Sequence, residues 1–92
     1  MKRIEVYQAI DTERAYQEKV WGDNGERRTN PETNQNSQHA VGNWMTFMEY
    51  YFRQAQDRLT TEHGHQGALD SLRKVAGLCV ACFEQHGVPS RQ

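Results

Sequence analysis

The chain has little of what braces a small protein from outside. Only two cysteines, Cys79 and Cys82, occur among its 92 residues. Lying three positions apart in one helical run, they cannot build the disulfide framework of small secreted domains. No apolar run approaches the roughly 18 residues of a membrane span. Met1-Lys2-Arg3 leads into polar sequence rather than a signal-peptide core, so the chain reads as cytoplasmic. Charge of one sign is lacking too. A net charge of −1 and a pI of 6.4 exclude the broad basic surface that duplex nucleic acid requires, and any anionic partner is therefore small and locally held. Residues 1–92 make one domain, too short to bury a large core alone, which points to a homo-oligomer.

What the chain does contain is helical periodicity. Residues from about Glu5 to Trp21 read as a first helix, with Val6, Ala9, Ile10 and Val20 on one face at the 3.6-residue period. Glu13 and Gln17 interrupt that face. A carboxylate there needs a partner or a ligand once buried; an exposed edge position or a pairing with Arg is the plain reading. Residues 22–38 lose all periodicity and form a long polar loop, in which Arg27-Arg28 could close over an anion.

A second helix runs from about His39 to Leu59, with Val41, Trp44, Met48, Tyr51, Phe52, Ala55 and Leu59 on one face, widened by Met45, Phe47 and Tyr50. The apolar arc exceeds what two neighbours need. The excess reads as core plus a subunit interface, or as an aromatic wall for a ligand. After a turn with His63, Gly64, His65 and Gly67, a third helix runs from Ala68 to about Gln85. Leu69, Leu72, Val75, Ala76, Cys79, Val80 and Phe83 make it the most buried of the three. Gly87 and Pro89 then supply a stop in the usual order. The expected fold is all-α: a three-helix antiparallel bundle with a long polar loop between helices 1 and 2.

Arg73, Gly77 and Glu84 share one border of the third helix. Gly77 costs about 1 kcal/mol against Ala inside a helix, so it marks close approach of another backbone or of a bound molecule. Glu49 and Arg53 occupy a similar border of the second helix. Two opposite-charge pairs facing one another would make either an ion-pair network or a groove in which Arg53 and Arg73 hold phosphate oxygens. Zinc is disfavoured, because His63-Gly64-His65 and the cysteines lack a second pair of ligands. Nucleophilic catalysis by Cys82 with His86 is disfavoured as well, since an apolar helix raises a thiol's pKa.

Several short stretches resemble the small, phage-encoded relatives of the MazG-like all-α nucleotide pyrophosphatases. They are Glu13-Arg14-Ala15-Tyr16-Gln17 with Trp21-Gly22, His39 with Trp44, and Leu72-Arg73-Lys74-Val75-Ala76 with Ala81-Cys82-Phe83-Glu84-Gln85-His86-Gly87. The resemblance implies a Glu-Glu-x-x-Glu set on one helix and a Glu-x-x-Asp set on the next, holding magnesium against a triphosphate. Here Glu49 matches one member of the first set beside Tyr50 and Phe52 or Arg53, and the second set falls on Ser71 and Lys74. One carboxylate cannot organise a metal pair.

The expectation is therefore a non-catalytic binder of a phosphorylated nucleotide, without metal or cofactor. Arg53, Arg73 and Lys74 would sit on phosphate, Trp21, Trp44 or Tyr51 would stack on the base, and His39, Glu49, Arg27 and Arg28 would lie nearby. For a phage protein, such a binder would suit sequestration of a host immune signalling nucleotide. The alternatives are a magnesium-dependent pyrophosphohydrolase using Glu13, Glu49 and Glu84, and an interaction module that inhibits a host protein through the aromatic second helix.

Overall fold

The computed structural model describes residues 1–23 and 39–91, the side chains of 21–23 excepted. Arg27 and Arg28, most of the expected loop and the Trp21 side chain lie outside the described residues. Three α-helices carry the fold: α1 (Arg3–Gln17), continued by a π-helical stretch over Glu18–Asp23, α2 (Val41–Arg58) and α3 (Gly64–His86). None of them is long and apolar enough to cross a membrane.

Local chemistry sets the helix ends. At the start of α1 the Glu5 carboxylate accepts the Lys2 backbone N–H at 2.9 Å, satisfying a donor that the helix cannot. At the end of α2 the Thr60 and Thr61 hydroxyls donate to the carbonyls of Asp57 and Arg58 at 3.0 and 2.9 Å. Helix α3 stops at Gly87, whose φ of 81° suits glycine and whose N–H returns to the Phe83 carbonyl at 2.7 Å, as expected from the Gly-Val-Pro ending.

The start of α3 differs from expectation, because the glycines that read as a turn lie inside the helix. Gly67 leaves room for the stem of Arg58, which a Cβ would meet at 3.2 Å, and Arg58 Nη1 donates to the Gly67 carbonyl at 3.3 Å.

Helix α3 is central, with α2 packed along it and α1 against a shorter stretch. Contacts of Trp44 with Gln85, Met48 with Cys79 and Gln54 with Ser71 set α2 antiparallel to α3. Contacts of Glu13 with Arg73, of Gln17 with Lys74 and of Arg14 with Glu84 hold α1 against it.

The core is small. Trp44, Leu78, Ala81 and Cys82 form it, with Met48 and Tyr51 packed alongside, and Ala55 and Ala68 are buried nearby. Two expectations about faces need correction. On α1 the buried residues are the polar Glu13 and Gln17, whereas Val6 and Ala9, earlier on the same face, are exposed and Ile10 is half-buried. On α3, Leu69, Leu72 and Phe83 are exposed rather than buried, and in the wide arc of the second helix Val41, Phe52 and, just past the end of α2, Leu59 are exposed as well. A helix of this width meets its neighbour along one strip, and the apolar arc is wider than that strip.

Candidate functional site

The polar border of α3 meets α1 and α2 in one cluster. Asp70, Arg73, Lys74 and Gly77 share that border through i, i+3 and i+4 spacing. Glu13 and Gln17 come from α1, one turn apart, and Tyr51, Gln54 and Arg58 come from α2. Glu13 is 7% exposed, and both its oxygens are engaged: Arg73 Nε donates to Oε1 at 2.9 Å and Gln17 Nε2 to Oε2 at 3.0 Å. The same Gln17 nitrogen donates to the Lys74 carbonyl at 3.1 Å, while Gln17 Oε1 is buried with no hydrogen-bond partner. Gly77 explains how the amide gets in. A Cβ there would sit 2.7 Å from Gln17 Nε2, so the close approach marked by this glycine is that of a side chain.

Asp70 gathers three cations. Arg58 Nη1 lies 3.2 Å from Oδ2, Arg73 Nη2 pairs with Oδ1, and Lys74 Nζ stands 3.9 Å from Oδ2. The Lys74 ammonium also lies over the Tyr51 ring, 5.4 Å from its centroid, a cation–π arrangement. Burial is the main cause that raises the Tyr51 hydroxyl above its ordinary pKa, followed by Tyr50 and Glu13. Beside it, the buried Ser71 hydroxyl donates to Gln54 Oε1 at 2.8 Å. With two carboxylates against three cations, the cluster carries one net positive charge. Of those cations, Lys74 is the most loosely paired.

The expected site residues divide between places. Tyr51, Arg73 and Lys74 come together here. Glu49 and Arg53 do not: they pair with each other at 3.9 Å, 66% and 73% exposed, on the side of α2 turned away from α3. Arg53 and Arg73 therefore share no groove, because roughly 100° per residue places positions 49 and 53 nearly opposite position 51.

His39 and Trp44 lie at the far end of the α2–α3 pair. The Trp44 indole is buried and donates to Gln85 Oε1 at 3.0 Å. That oxygen also accepts the His39 N–H at 3.0 Å, and His86 Nε2 lies 2.7 Å from the His39 carbonyl. His39 stands edge-on to Trp44 and Phe47. This end is a clamp on the entry to α2, and it occupies the indole that stacking on a base would need.

Glu84 pairs with Arg14 at 2.5 Å, so Glu13, Glu49 and Glu84 each have a separate basic partner. Among the described residues no three or more His, Cys, Asp or Glu side chains are grouped as metal ligands. Cys79 is half-buried with Sγ 3.7 Å from Met48 Sδ, and burial, then Cys82, raises its pKa. The site members that sequence reasoning passed over are Asp70, Arg58, Gln54 and Ser71. The Asp70–Arg73 and Asp70–Lys74 spacings were the available signal.

No protein-family model matches the chain, and no curated protein or solved structure shows significant similarity to it.

Proposed function

We propose that this protein binds a phosphorylated nucleotide at the Arg73–Lys74 border of α3 and releases it uncleaved. The observation that carries the reading is the loose engagement of Lys74, 3.9 Å from Asp70 and 5.4 Å from the Tyr51 ring centroid. A phosphate oxygen can replace that long contact with a shorter charge-assisted bond. Arg73, 47% exposed at its side chain, offers a second donor beside it. The Tyr51 ring supplies an aromatic surface at the same place.

The chemistry is that of holding. Guanidinium and ammonium groups stand on this border, and the carboxylates among them are already neutralised by bases. The resemblance to MazG-like enzymes supports the nucleotide as ligand class, with the metal-binding acids exchanged for cations. In a phage setting the same binding would withdraw a host immune signalling nucleotide from its receptor.

Isothermal titration against a panel of nucleoside triphosphates and signalling nucleotides tests the proposal. We expect binding to at least one of them, lost in Lys74→Ala and retained in Arg53→Ala. A folded protein that binds none would remove the reading. Magnesium-dependent release of pyrophosphate, abolished by Glu49→Gln, would replace it with the hydrolase. Capture of one stoichiometric host protein, with no nucleotide bound, would replace it with an interaction module.

A further inference from the structure

We infer that Asp70 is a resident anion: its carboxylate fills the place of a phosphate among Arg58, Arg73 and Lys74, and gives that place up when a phosphorylated ligand arrives. Phosphate binding at this border, as proposed above, is the premise, and Asp70 is what sets its strength. Arg58 comes from the last turn of α2, while Arg73 and Lys74 stand one turn beyond Asp70 on α3. Helical spacing brings Arg73 and Lys74 to Asp70, whereas Arg58 arrives through the packing of α2 along α3, where Gly67 leaves room for its stem. Positive groups from two helices thus surround a single acceptor.

That acceptor serves them poorly. Its Oδ2 is divided between Arg58 Nη1 at 3.2 Å and Lys74 Nζ at 3.9 Å, and the second contact is too long for a hydrogen bond. Arg58 spends the same Nη1 on the Gly67 carbonyl at 3.3 Å. Arg73 splits its fork, with Nε on Glu13 and Nη2 on Asp70. No guanidinium therefore grips Asp70 with two parallel bonds, the arrangement in which Arg holds a carboxylate or phosphate best. The Asp70 oxygens are tethered to α3 by one short side chain and cannot approach all three cations. A phosphate group carries no tether and can settle where Arg58 and Lys74 both reach it. The Asp70 side chain is 36% exposed, so water receives it when it is displaced. Glu13, buried between Arg73 and Gln17, stays where it is. Glu13 fixes a cation, and Asp70 competes with the ligand for all three. Anions too weakly held to outcompete an attached carboxylate are kept out.

Asp70→Asn removes the competing charge and keeps the shape and one acceptor oxygen. Calorimetric titration with tripolyphosphate, a probe without base or sugar, compares wild type, Asp70→Asn, Asp70→Asn combined with Lys74→Ala or with Arg58→Ala, and Glu49→Gln, which removes the same charge on the other side of α2. We expect Asp70→Asn to bind tripolyphosphate about threefold to tenfold more tightly than wild type, the effect of one screened unit charge beside the ligand. Glu49→Gln should bind as wild type does, and each double variant should lose the gain. In the wild type itself, saturating tripolyphosphate should shift the side-chain carboxyl carbon resonance of Asp70. A folded Asp70→Asn that binds the probe no more tightly than wild type, or a wild-type Asp70 resonance that does not move, would overturn the inference. The nucleotide reading stands or falls separately. A gain in Asp70→Asn with no nucleotide bound by wild type would remove that reading and keep the resident anion, whereas a nucleotide bound by wild type with no gain in Asp70→Asn would do the reverse.

Discussion

Arg73 Nε lies 2.9 Å from Glu13 Oε1, so the one carboxylate buried on α1 is neutralised from α3. The contact joins the first helix to the last. Its energetic weight comes from the acid, which is 7% exposed while the base is half in water.

Removing the base should therefore cost more than an exposed pair would. Arg73→Ala leaves Glu13 with Gln17 as its remaining donor and is expected to lower stability by about 1–3 kcal/mol, the range for an under-satisfied buried group. Arg53→Ala, which breaks an exposed pair, should stay within about 0.5 kcal/mol. Urea unfolding of both variants checks the contrast; equal losses would contradict it.

Gly77→Ala sets helix propensity against space. The substitution favours the helix by about 1 kcal/mol, yet its Cβ would stand 2.7 Å from the buried Gln17 amide. We expect a net loss of roughly 1–2 kcal/mol through displacement of α1. Combining it with Gln17→Ala should recover part of that loss. Thermal unfolding of the single and double variants reads the coupling.

Gln85→Ala removes one acceptor that serves two donors, the His39 N–H and the Trp44 indole. A loss of about 1–2 kcal/mol is expected. Trp44 is also positioned to report its own exposure, so its emission should shift to longer wavelength, unlike that of a variant at the exposed Gln56.

Alkaline pH should weaken the fold in two steps. In the unfolded chain Cys79 and Tyr51 ionise at their ordinary values of 9.0 and 10.0, while in the fold both are raised. Below pH 9 both states hold these protons, and the contribution is complete. As pH climbs through the folded values, the unfolded state gives up its protons first, and stability falls. Urea midpoints measured from pH 8 to 10.5 should decline, with Tyr51→Phe flattening the upper part of the curve.

Much of the fold was legible in the sequence because helical period survives without context. The three helices and the Gly87 stop lie close to where the apolar period placed them, and Trp44 and Met48 do face the core, whereas Leu78, the most buried apolar residue, lay outside the face expected of the third helix. What was not legible is which part of an apolar arc meets a neighbour. Val6 and Ala9 share a face with Glu13 and Gln17, but only the polar pair reaches α3, and no hydropathy pattern announces a contact made by polar groups. The candidate site was half visible. Arg73 and Lys74 stood out as cations in an apolar helix, whereas their tie to Asp70 and Glu13 depends on how α1 crosses α3. Arg53 failed to join them because periodicity tells which residues share a side of a helix, not which side its neighbour takes.

The way α1 is fastened has a consequence for how the molecule breathes. A helix held chiefly by an amide and a carboxylate uncovers little oil when it lifts away, so its detachment should carry a small m-value and a small heat-capacity change. Amide protons of α1 should exchange with solvent long before those of α3, at a rate that urea hardly alters, while salt speeds it by screening the charges.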